Sequence, residues 1–240
     1  MHQVAPYSPG PERRATVDER LAVFSNLDRR GGTQTYILDR SSSEYKAKLH
    51  GLRHFFSHIR SLCDNPTVCD IGTGKGSAIK GLKTDTITEG INFIGTNLTD
   101  SYQETVEQNI GKGNHFVTAA EELVLGDRPA KSVHGFLGVY SIAESGDLPT
   151  VAKNLDYYLA PGGAIKVMVY PEENGQSEFV ETLQELGYNV AVIKPAYRKL
   201  RRLIGAEHPN VVLAIKPDPT RKLPTAQELM SKDRMDFENS

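Results

Sequence analysis

A short strand that leads into three alternating glycines is the feature that most constrains how this chain folds. Residues 67–71 form the strand, Gly72, Gly74 and Gly76 follow it, and a helix is predicted to begin near Ser77. Glycines let the backbone turn sharply and approach a ligand closely, and in open parallel sheets ligands bind beyond the carboxyl ends of the strands. The spacing differs from those of the phosphate-binding P-loop and the dinucleotide-binding motif. The segment therefore predicts a ligand-binding turn, with a purely structural tight turn as the alternative.

Strand and helix patterns alternate through the middle of the chain. Strands are predicted at residues 67–71, 91–96, 115–118, 133–139, 164–170, 189–194 and 210–215. Helices are predicted at 43–62, from 77 onward, and at 99–110, 148–159 and 177–187. This alternation indicates an α/β fold with a mostly parallel sheet of about seven strands and helices on both faces. The segment between the last two strands has little helical character, which allows one of them to run antiparallel.

The chain divides into three parts by composition. Residues 1–40 are polar and are predicted to form an N-terminal extension that is partly flexible, with a helix over 16–27. Residues 41–216 hold the alternating strands and helices and are predicted to be one ligand-binding domain. Residues 217–240 are predicted to be a charged C-terminal tail with one short helix at about 226–232.

Charge and cysteine content narrow the class of protein. A formal net charge of −2 over 240 residues argues against a mainly electrostatic nucleic-acid binder, although a local basic patch is compatible with it. No apolar run approaches the roughly 20 residues that a membrane helix needs. Cys63 and Cys69 lack the spacing of a zinc or redox site, and Cys69 is predicted to be a buried free thiol. These features favour a reducing, cytoplasmic location without membrane association.

Four segments together resemble the class I S-adenosylmethionine-dependent methyltransferases. Asp70 and the three alternating glycines are similar to the first motif of that family. Residues 94–99, 115–123 and 155–169 resemble its second-strand end, its third-strand motif and its fifth-strand region, in the same order. The resemblance implies a Rossmann-like, doubly wound fold that uses S-adenosylmethionine as cofactor.

The same resemblance implies which residues hold the cofactor. The glycine turn would bind its methionine end, and Asp70 would receive its amino group directly or through water. Asn97 stands where the family usually has an acid that binds both ribose hydroxyls, and Ala119 aligns near the residue that meets the adenine amino group. These departures leave a catalytically silent relative as an alternative. The full implied set is Asp70, Gly72, Thr73, Gly74, Gly76, Asn97, Leu98, Ala120, Glu121 and Tyr140.

RNA is the methyl acceptor that the sequence favours slightly. Lys166 and Glu207 resemble two of the four groups that surround the target hydroxyl in RNA ribose 2′-O-methyltransferases, and Lys46 or Lys48 is a candidate third. Such lysines lower the pKa of the hydroxyl or stabilise the developing oxyanion. The aspartate expected after the fourth strand is missing. A basic stretch is predicted to contact RNA, or else to be a solvated loop: Lys194, Arg198, Lys199, Arg201 and Arg202.

Two other functions stay open. In a small-molecule or protein methyltransferase, residues 138–148 would form an active-site loop, with Tyr140, Ser141 and Glu144 facing the substrate, and the N-terminal segment would form a lid. In a methyltransferase-like subunit without activity, the chain would act through a partner protein. Aromatic side chains at 45, 55 and 56 are predicted to line a pocket or to belong to the core. Three histidines at four-residue spacing, His50, His54 and His58, complete no metal-ligand set and are predicted to face solvent or substrate.

Overall fold

Seven strands form one sheet in the computed structural model, which describes residues 17–18, 41–139, 141–142, 145–170, 176–193 and 209–238. The strands are β1 (Thr67–Ile71), β2 (Asn92–Asn97), β3 (His115–Val117), β4 (Val133–Gly138), β5 (Leu159–Val169), β6 (Asn189–Ile193) and β7 (Asn210–Ile215). Their order across the sheet is β3-β2-β1-β4-β5-β7-β6.

The direction of the strands follows from how they are connected. β1 to β5 run parallel to one another, and β7 is antiparallel to both β5 and β6. Parallel neighbours need a crossover connection, which the predicted helices supply, whereas β7 inserts between β5 and β6 in the opposite sense. The predicted α/β fold with a mostly parallel, seven-stranded sheet is confirmed, including one antiparallel strand among the last two.

Helices cover both faces of the sheet. They are α1 (Ser42–Lys48), α2 (Arg53–Arg60), α3 (Ser77–Lys83), α4 (Gln103–Ile110), α5 (Leu148–Tyr158), α6 (Gln176–Glu185) and α7 (Ala226–Glu238), with 3₁₀ turns at Thr86–Thr88 and Ala120–Glu122. One apolar cluster joins the sheet to α1–α4 and α7, and a second joins it to α5 and α6. Cys69 is buried as a free thiol within the second cluster, as predicted. Within the described ranges, no helix is long and apolar enough to cross a membrane.

The predicted single helix at 43–62 is two helices in the structure. α1 ends at Lys48, the backbone of His50 and Gly51 is left-handed (φ 53° and 83°), and α2 begins at Arg53. A Cβ atom on Gly51 would lie 2.5 Å from the carbonyl oxygen of Asp233, so only glycine fits at this turn. The helical spacing of the apolar residues continues across the break, which explains why the sequence predicted one helix. α4 likewise begins at Gln103, four residues after the predicted start.

A buried ion pair holds this break in place. Lys166 on β5 and Asp233 on α7 have no exposed side-chain surface, and the Lys166 ammonium lies 2.7 Å from Asp233 Oδ2 and 2.8 Å from the Gly51 carbonyl oxygen. The Asp233 carboxylate also accepts hydrogen bonds from the backbone N–H groups of His54 (2.6 Å) and Phe55 (3.3 Å). It therefore caps the first turn of α2, where the residue before the helix, Leu52, has no polar side-chain atom.

The end of the chain is more ordered than a charged tail. α7 extends over 13 residues, beyond the short helix predicted at 226–232, and Ala226, Leu229 and Met230 belong to the apolar cluster that also contains α2. Most of its charged residues lie on the exposed side of the helix. This high charge content is why the sequence predicted a charged tail. Asp233 is the exception, since it points into the core and meets Lys166.

The buried pair gives a stability prediction. Asp233→Asn leaves the Lys166 ammonium without a counter-charge in the core and should lower the free energy of unfolding by about 3 kcal/mol, since breaking a buried pair by removing one charge is strongly destabilising. Asp236→Asn is the matched control, three residues further along α7. Asp236 is 43% exposed and pairs with Arg53 and His54 at the surface, so its loss should lower the free energy of unfolding by less than about 1 kcal/mol. Urea denaturation followed by circular dichroism measures both.

Equal losses for the two variants would contradict the prediction. The double variant Lys166→Met with Asp233→Leu should recover part of the stability lost in Asp233→Asn, because it removes both buried charges, although α2 then loses its cap.

Candidate functional site

The three glycines after β1 each adopt a left-handed backbone conformation. Their φ angles are 72° at Gly72, 59° at Gly74 and 78° at Gly76. A Cβ atom on Gly72 would lie 2.4 Å from the Cβ of Ser141, and one on Gly76 would lie 3.0 Å from the side chain of Ile110. The turn, called the glycine loop below (residues 72–76), therefore requires glycine for its backbone and for the close approach of two neighbouring segments.

The N–H groups of the glycine loop are largely satisfied within the protein. Gly72 donates weakly to Thr96 Oγ1 (3.4 Å), Thr73 donates to the Thr96 carbonyl (2.9 Å), and Gly76 donates to the Thr73 carbonyl (3.0 Å). Gly74 donates to Asn97 Oδ1 (2.9 Å). The Gly72 carbonyl has no hydrogen-bond partner in the part of the chain that the structure describes. The loop thus offers a ligand an acceptor rather than a row of donors.

Two asparagine side chains fix the position of the loop. Asn97, at the end of β2, donates from Nδ2 to the Gly74 carbonyl (2.8 Å) and accepts from the Gly74 N–H through Oδ1. Asn109, on α4, donates from Nδ2 to the Lys75 carbonyl (2.8 Å). The Lys75 ammonium lies over the ring of Tyr102, 5.0 Å from its centre, which is within range of a cation–π contact. The loop is therefore held from the β2 and α4 sides.

Asp70 is the last acidic group before the loop and is almost fully buried. Its carboxylate accepts a hydrogen bond from the hydroxyl of Tyr45, which reaches it from α1 and is itself buried. Tyr45 thus has a polar contact in addition to its place in the core, and Phe55 and Phe56 are entirely core residues. Because the hydroxyl orients the carboxylate, α1 controls the geometry of the acid beside the glycine loop.

The other strand ends are tied to one another around the same edge. The Thr118 N–H donates to the Asn97 carbonyl (2.8 Å), which joins the β3 and β2 ends. The Gly146 N–H donates to Glu121 Oε1 (2.8 Å), which joins the segments after β3 and β4. The Ser141 hydroxyl donates to the Ile71 carbonyl, which joins the segment after β4 to β1. The carboxyl ends of four parallel strands thus form one connected rim.

The structure brings most of the predicted cofactor residues to this rim. The loop residues, including Thr73, lie at the end of β1, Asn97 and Leu98 lie at the end of β2, and Ala120 and Glu121 form the 3₁₀ turn after β3. Ala120 is buried, and both it and Glu121 accept hydrogen bonds at their carbonyls from Asn154 of α5 (3.2 and 2.7 Å). Their clustering at one edge is the arrangement expected of a ligand site in an open α/β sheet.

The two lysines predicted to act in catalysis lie elsewhere. Lys166 has no exposed surface and uses its ammonium to bind Asp233 and the Gly51 carbonyl, so a substrate has no access to it in this structure. Burial lowers the pKa of Lys166, and Asp233 opposes that effect. Lys46 pairs with Asp85, just beyond the end of α3 that is remote from the glycine loop, and this hydrogen bond lowers the pKa of Asp85. The geometry therefore gives both lysines structural partners.

The three spaced histidines also differ from expectation. His50 and His58 are buried, whereas they were predicted to face solvent or substrate. The His58 ring nitrogen Nε2 bonds the Gly162 carbonyl (2.8 Å), and His54 pairs with Asp236 at the surface (3.1 Å). Burial lowers the pKa of both His50 and His58. The break between α1 and α2 separates His50 from the other two, which is why the spacing does not produce one common face.

Several predicted residues lie outside the described ranges. They are Tyr140 and Glu144 after β4, Glu207 before β7, and the basic stretch of Lys194, Arg198, Lys199, Arg201 and Arg202. The predicted N-terminal helix at 16–27 also lies almost wholly outside them. Their predicted roles stay predictions.

Comparison with known proteins gives structural but not sequence similarity. No protein-family model and no curated protein sequence matches the chain. The (4+2)-cyclase SpnF is similar in structure, with a TM-score of 0.57 and 12% identity, over 88% of this chain and 99% of that one. A phosphoethanolamine N-methyltransferase from Haemonchus contortus, solved with phosphomonomethylethanolamine and S-adenosylhomocysteine, gives 0.53 and 13%, over 80% of this chain and 59% of that one.

A third structure extends the comparison to a complex. It is the Haloferax volcanii complex between the Trm112 methyltransferase activator and a protein assigned as a methyltransferase, with a TM-score of 0.51 and 16% identity, over 77% of this chain and 97% of the matched one. At these identities the three structures establish the Rossmann-like α/β fold that the sequence predicted.

The close approach at Gly72 gives a second prediction. Gly72→Ala should lower the free energy of unfolding by about 2 kcal/mol more than Gly113→Ala, because both substitutions strain a left-handed backbone but only the first forces a methyl group against Ser141. Gly113 has a φ of 78° and nothing within 4 Å of its Cβ position, so it reports the backbone cost alone. Equal losses in urea denaturation would mean that Ser141 can move away from the loop.

Proposed function

We propose that this chain is an S-adenosylmethionine-dependent methyltransferase. The observation that carries the proposal is the glycine loop at the end of β1, which follows the buried Asp70 and in which the Gly72 carbonyl has no partner in the described chain. The fold that presents this loop is shared with a methyltransferase that was solved with S-adenosylhomocysteine. Three of the four sequence segments that resemble the family, at residues 70–76, 94–99 and 115–123, meet at this rim.

The chemistry of the loop fits the methionine end of the cofactor. That end carries an amino group, which is positively charged at neutral pH and needs hydrogen-bond acceptors. The Gly72 carbonyl is such an acceptor, and Asp70 carries a carboxylate two residues before it in the chain. A phosphate group would need donors instead, and the loop N–H groups of Thr73, Gly74 and Gly76 are already bonded within the protein. The residues present therefore favour an ammonium group over a phosphate.

The residues of the rim would bind and orient rather than transfer protons. The cofactor supplies a methyl group on a positively charged sulfur, which an electron-rich acceptor atom attacks directly. Alignment of the reacting atoms supplies much of the rate of such a reaction. Tyr45 holds the Asp70 carboxylate, and Asn97 and Asn109 hold the loop, so the chain keeps the binding surface in one geometry.

For the methyl acceptor, the proposal favours RNA over a small molecule or a protein. RNA is favoured by the basic stretch at residues 194–202, which carries five positive side chains within nine residues of sequence. A mechanism that uses Lys166 on a ribose hydroxyl finds no support, because Lys166 is buried against Asp233. A small-molecule or protein acceptor is the alternative, and the structural neighbours that bind a small phosphorylated amine or catalyse cyclisation illustrate how widely this fold is used.

A second candidate function is a catalytically silent subunit that acts through a partner. It is favoured by one observation, namely that the Asn97 side chain is occupied by Gly74 and His115. A nucleoside cofactor would then lose a polar contact at the end of β2, which weakens the case for tight binding.

Calorimetric titration with S-adenosylhomocysteine tests the cofactor. The wild-type chain should bind with a dissociation constant of about 10 μM or tighter, which corresponds to about 7 kcal/mol. Gly74→Val should weaken binding at least about tenfold, because a branched side chain in the left-handed loop displaces the binding surface. Gly113→Val is the control, since Gly113 is equally left-handed but faces open space, and it should bind like the wild type. Absence of binding by a folded wild-type chain would favour the silent subunit.

Filter binding to a single-stranded RNA tests the acceptor class. Arg201→Gln with Arg202→Gln should weaken RNA binding and lower the slope of log affinity against log salt concentration by about 1.4, at about 0.7 per lost phosphate contact. Lys80→Gln with Lys112→Gln removes two exposed charges elsewhere on the chain and should change the slope little. Equal effects of the two pairs would mean that the basic stretch is only a solvated surface.

A further inference from the structure

The side chain of Asn97 uses every hydrogen that it can donate. One hydrogen of Nδ2 goes to the Gly74 carbonyl (2.8 Å), and the other lies toward the His115 ring nitrogen Nε2 (3.1 Å). The oxygen of the amide accepts from the Gly74 N–H (2.9 Å). Because Gly74 presents one donor and one acceptor of fixed identity, only one orientation of the amide satisfies both. The assignment of oxygen and nitrogen in Asn97 is therefore determined by its partners.

These partners require an amide at this position. The Gly74 carbonyl and the His115 Nε2 are both acceptors, and a carboxylate has no hydrogen to give to either. An acid at residue 97 would place negative charge against the Gly74 carbonyl oxygen, and the Gly74 N–H would be its only remaining hydrogen bond to the glycine loop. The amide thus links the glycine loop, the end of β2 and the first residue of β3, whereas an acid beside a neutral His115 ring would lose the links to the Gly74 carbonyl and to His115.

His115 completes the arrangement from β3. Its Nε2 accepts from Asn97, so the neutral ring carries its hydrogen on Nδ1, which is buried and has no partner in the described chain. Burial lowers the pKa of His115, which keeps the ring in the neutral form that accepts. Among the charged groups near it, Glu107 acts in the opposite direction. The neutral imidazole of His115 therefore accepts from Asn97 and is not held as a cation beside the loop.

A bidentate contact to the ribose needs two free hydrogen-bonding atoms, and the side-chain atoms of Asn97 already bond within the protein. In dinucleotide-binding folds an acid near the end of the second strand accepts hydrogen bonds from ribose hydroxyls. Asn97 has one oxygen, which already accepts from Gly74, and its nitrogen has no hydrogen left for a hydroxyl oxygen. It can receive at most one further hydroxyl and cannot bind two side by side.

We propose that Asn97 is a tie for the glycine loop, meaning that it holds the loop to β2 and β3, and that the site binds an adenine nucleoside sulfonium or thioether without a bidentate contact to its two ribose hydroxyls at the end of β2. The inference rests on the proposed function, because it concerns the cofactor of that same site. The methionine end then supplies most of the selectivity, through the Gly72 carbonyl and Asp70. Asn97 is a positioning residue in this arrangement, since it acts on the ligand through Gly74.

Titration calorimetry with S-adenosylhomocysteine and with its 2′-deoxy and 3′-deoxy analogues tests the ligand side. The three compounds should bind the wild-type chain within about threefold of one another. A loss of tenfold or more on removal of either hydroxyl would overturn the inference and leave the proposed function intact. If S-adenosylhomocysteine itself does not bind the folded chain, the proposed function fails and the inference fails with it.

Nuclear magnetic resonance of the His115 ring tests the tie by a readout that needs no ligand. In the wild-type chain the neutral ring should carry its hydrogen on Nδ1. In Asn97→Asp the pKa of His115 should rise, because a carboxylate beside Nε2 favours the protonated ring. Asn109→Asp adds the same charge to the other asparagine that holds the loop and should leave the pKa of His115 nearly unchanged. A wild-type ring with its hydrogen on Nε2 would overturn the tie.

Discussion

The buried contact between Lys166 and Asp233 connects the distant parts of this fold. The ammonium of Lys166 reaches across from β5 to the carboxylate on α7 and to the Gly51 carbonyl in the turn between α1 and α2. The carboxylate in turn caps the first turn of α2. Because an unpaired charge in the core is strongly unfavourable, the three elements are held to one relative position.

That position has a consequence at the glycine loop. The turn at Gly51 fixes the orientation of α1 relative to α2. α1 carries Tyr45, whose hydroxyl donates to the Asp70 carboxylate at the end of β1. The contact between Lys166 on β5 and Gly51 thus influences the position of Asp70 through α1 and the Tyr45 hydroxyl. Lys166, which the sequence suggested as a group for catalysis, instead contributes to the site by supporting its geometry.

The parts of the fold that the sequence predicted are those with local causes. Buried strands, the helices between them and the glycine loop depend on periodicity and on backbone conformation, and both are visible within a few residues. The break between α1 and α2 depends on Asp233, which lies 182 residues beyond Gly51 in the chain. A helical apolar pattern alone gives no sign of such a partner. The sequence places Lys166 in the fifth strand, where either a buried partner or an active site accounts for a lysine, and the family resemblance favoured the active site.

At the rim, too, contacts between residues far apart in the sequence could not be predicted. Asn97 was recognised as a departure from an acidic residue, because residue types can be compared along the sequence. Its partners could not be predicted, since Gly74 and His115 meet it only when β1, β2 and β3 pair in the observed register. Once they do, the loop is ordered by the protein itself before any ligand arrives. A preformed loop spends little binding free energy on ordering, so a ligand can be held by few contacts, and the Gly72 carbonyl is one acceptor that the loop offers for them.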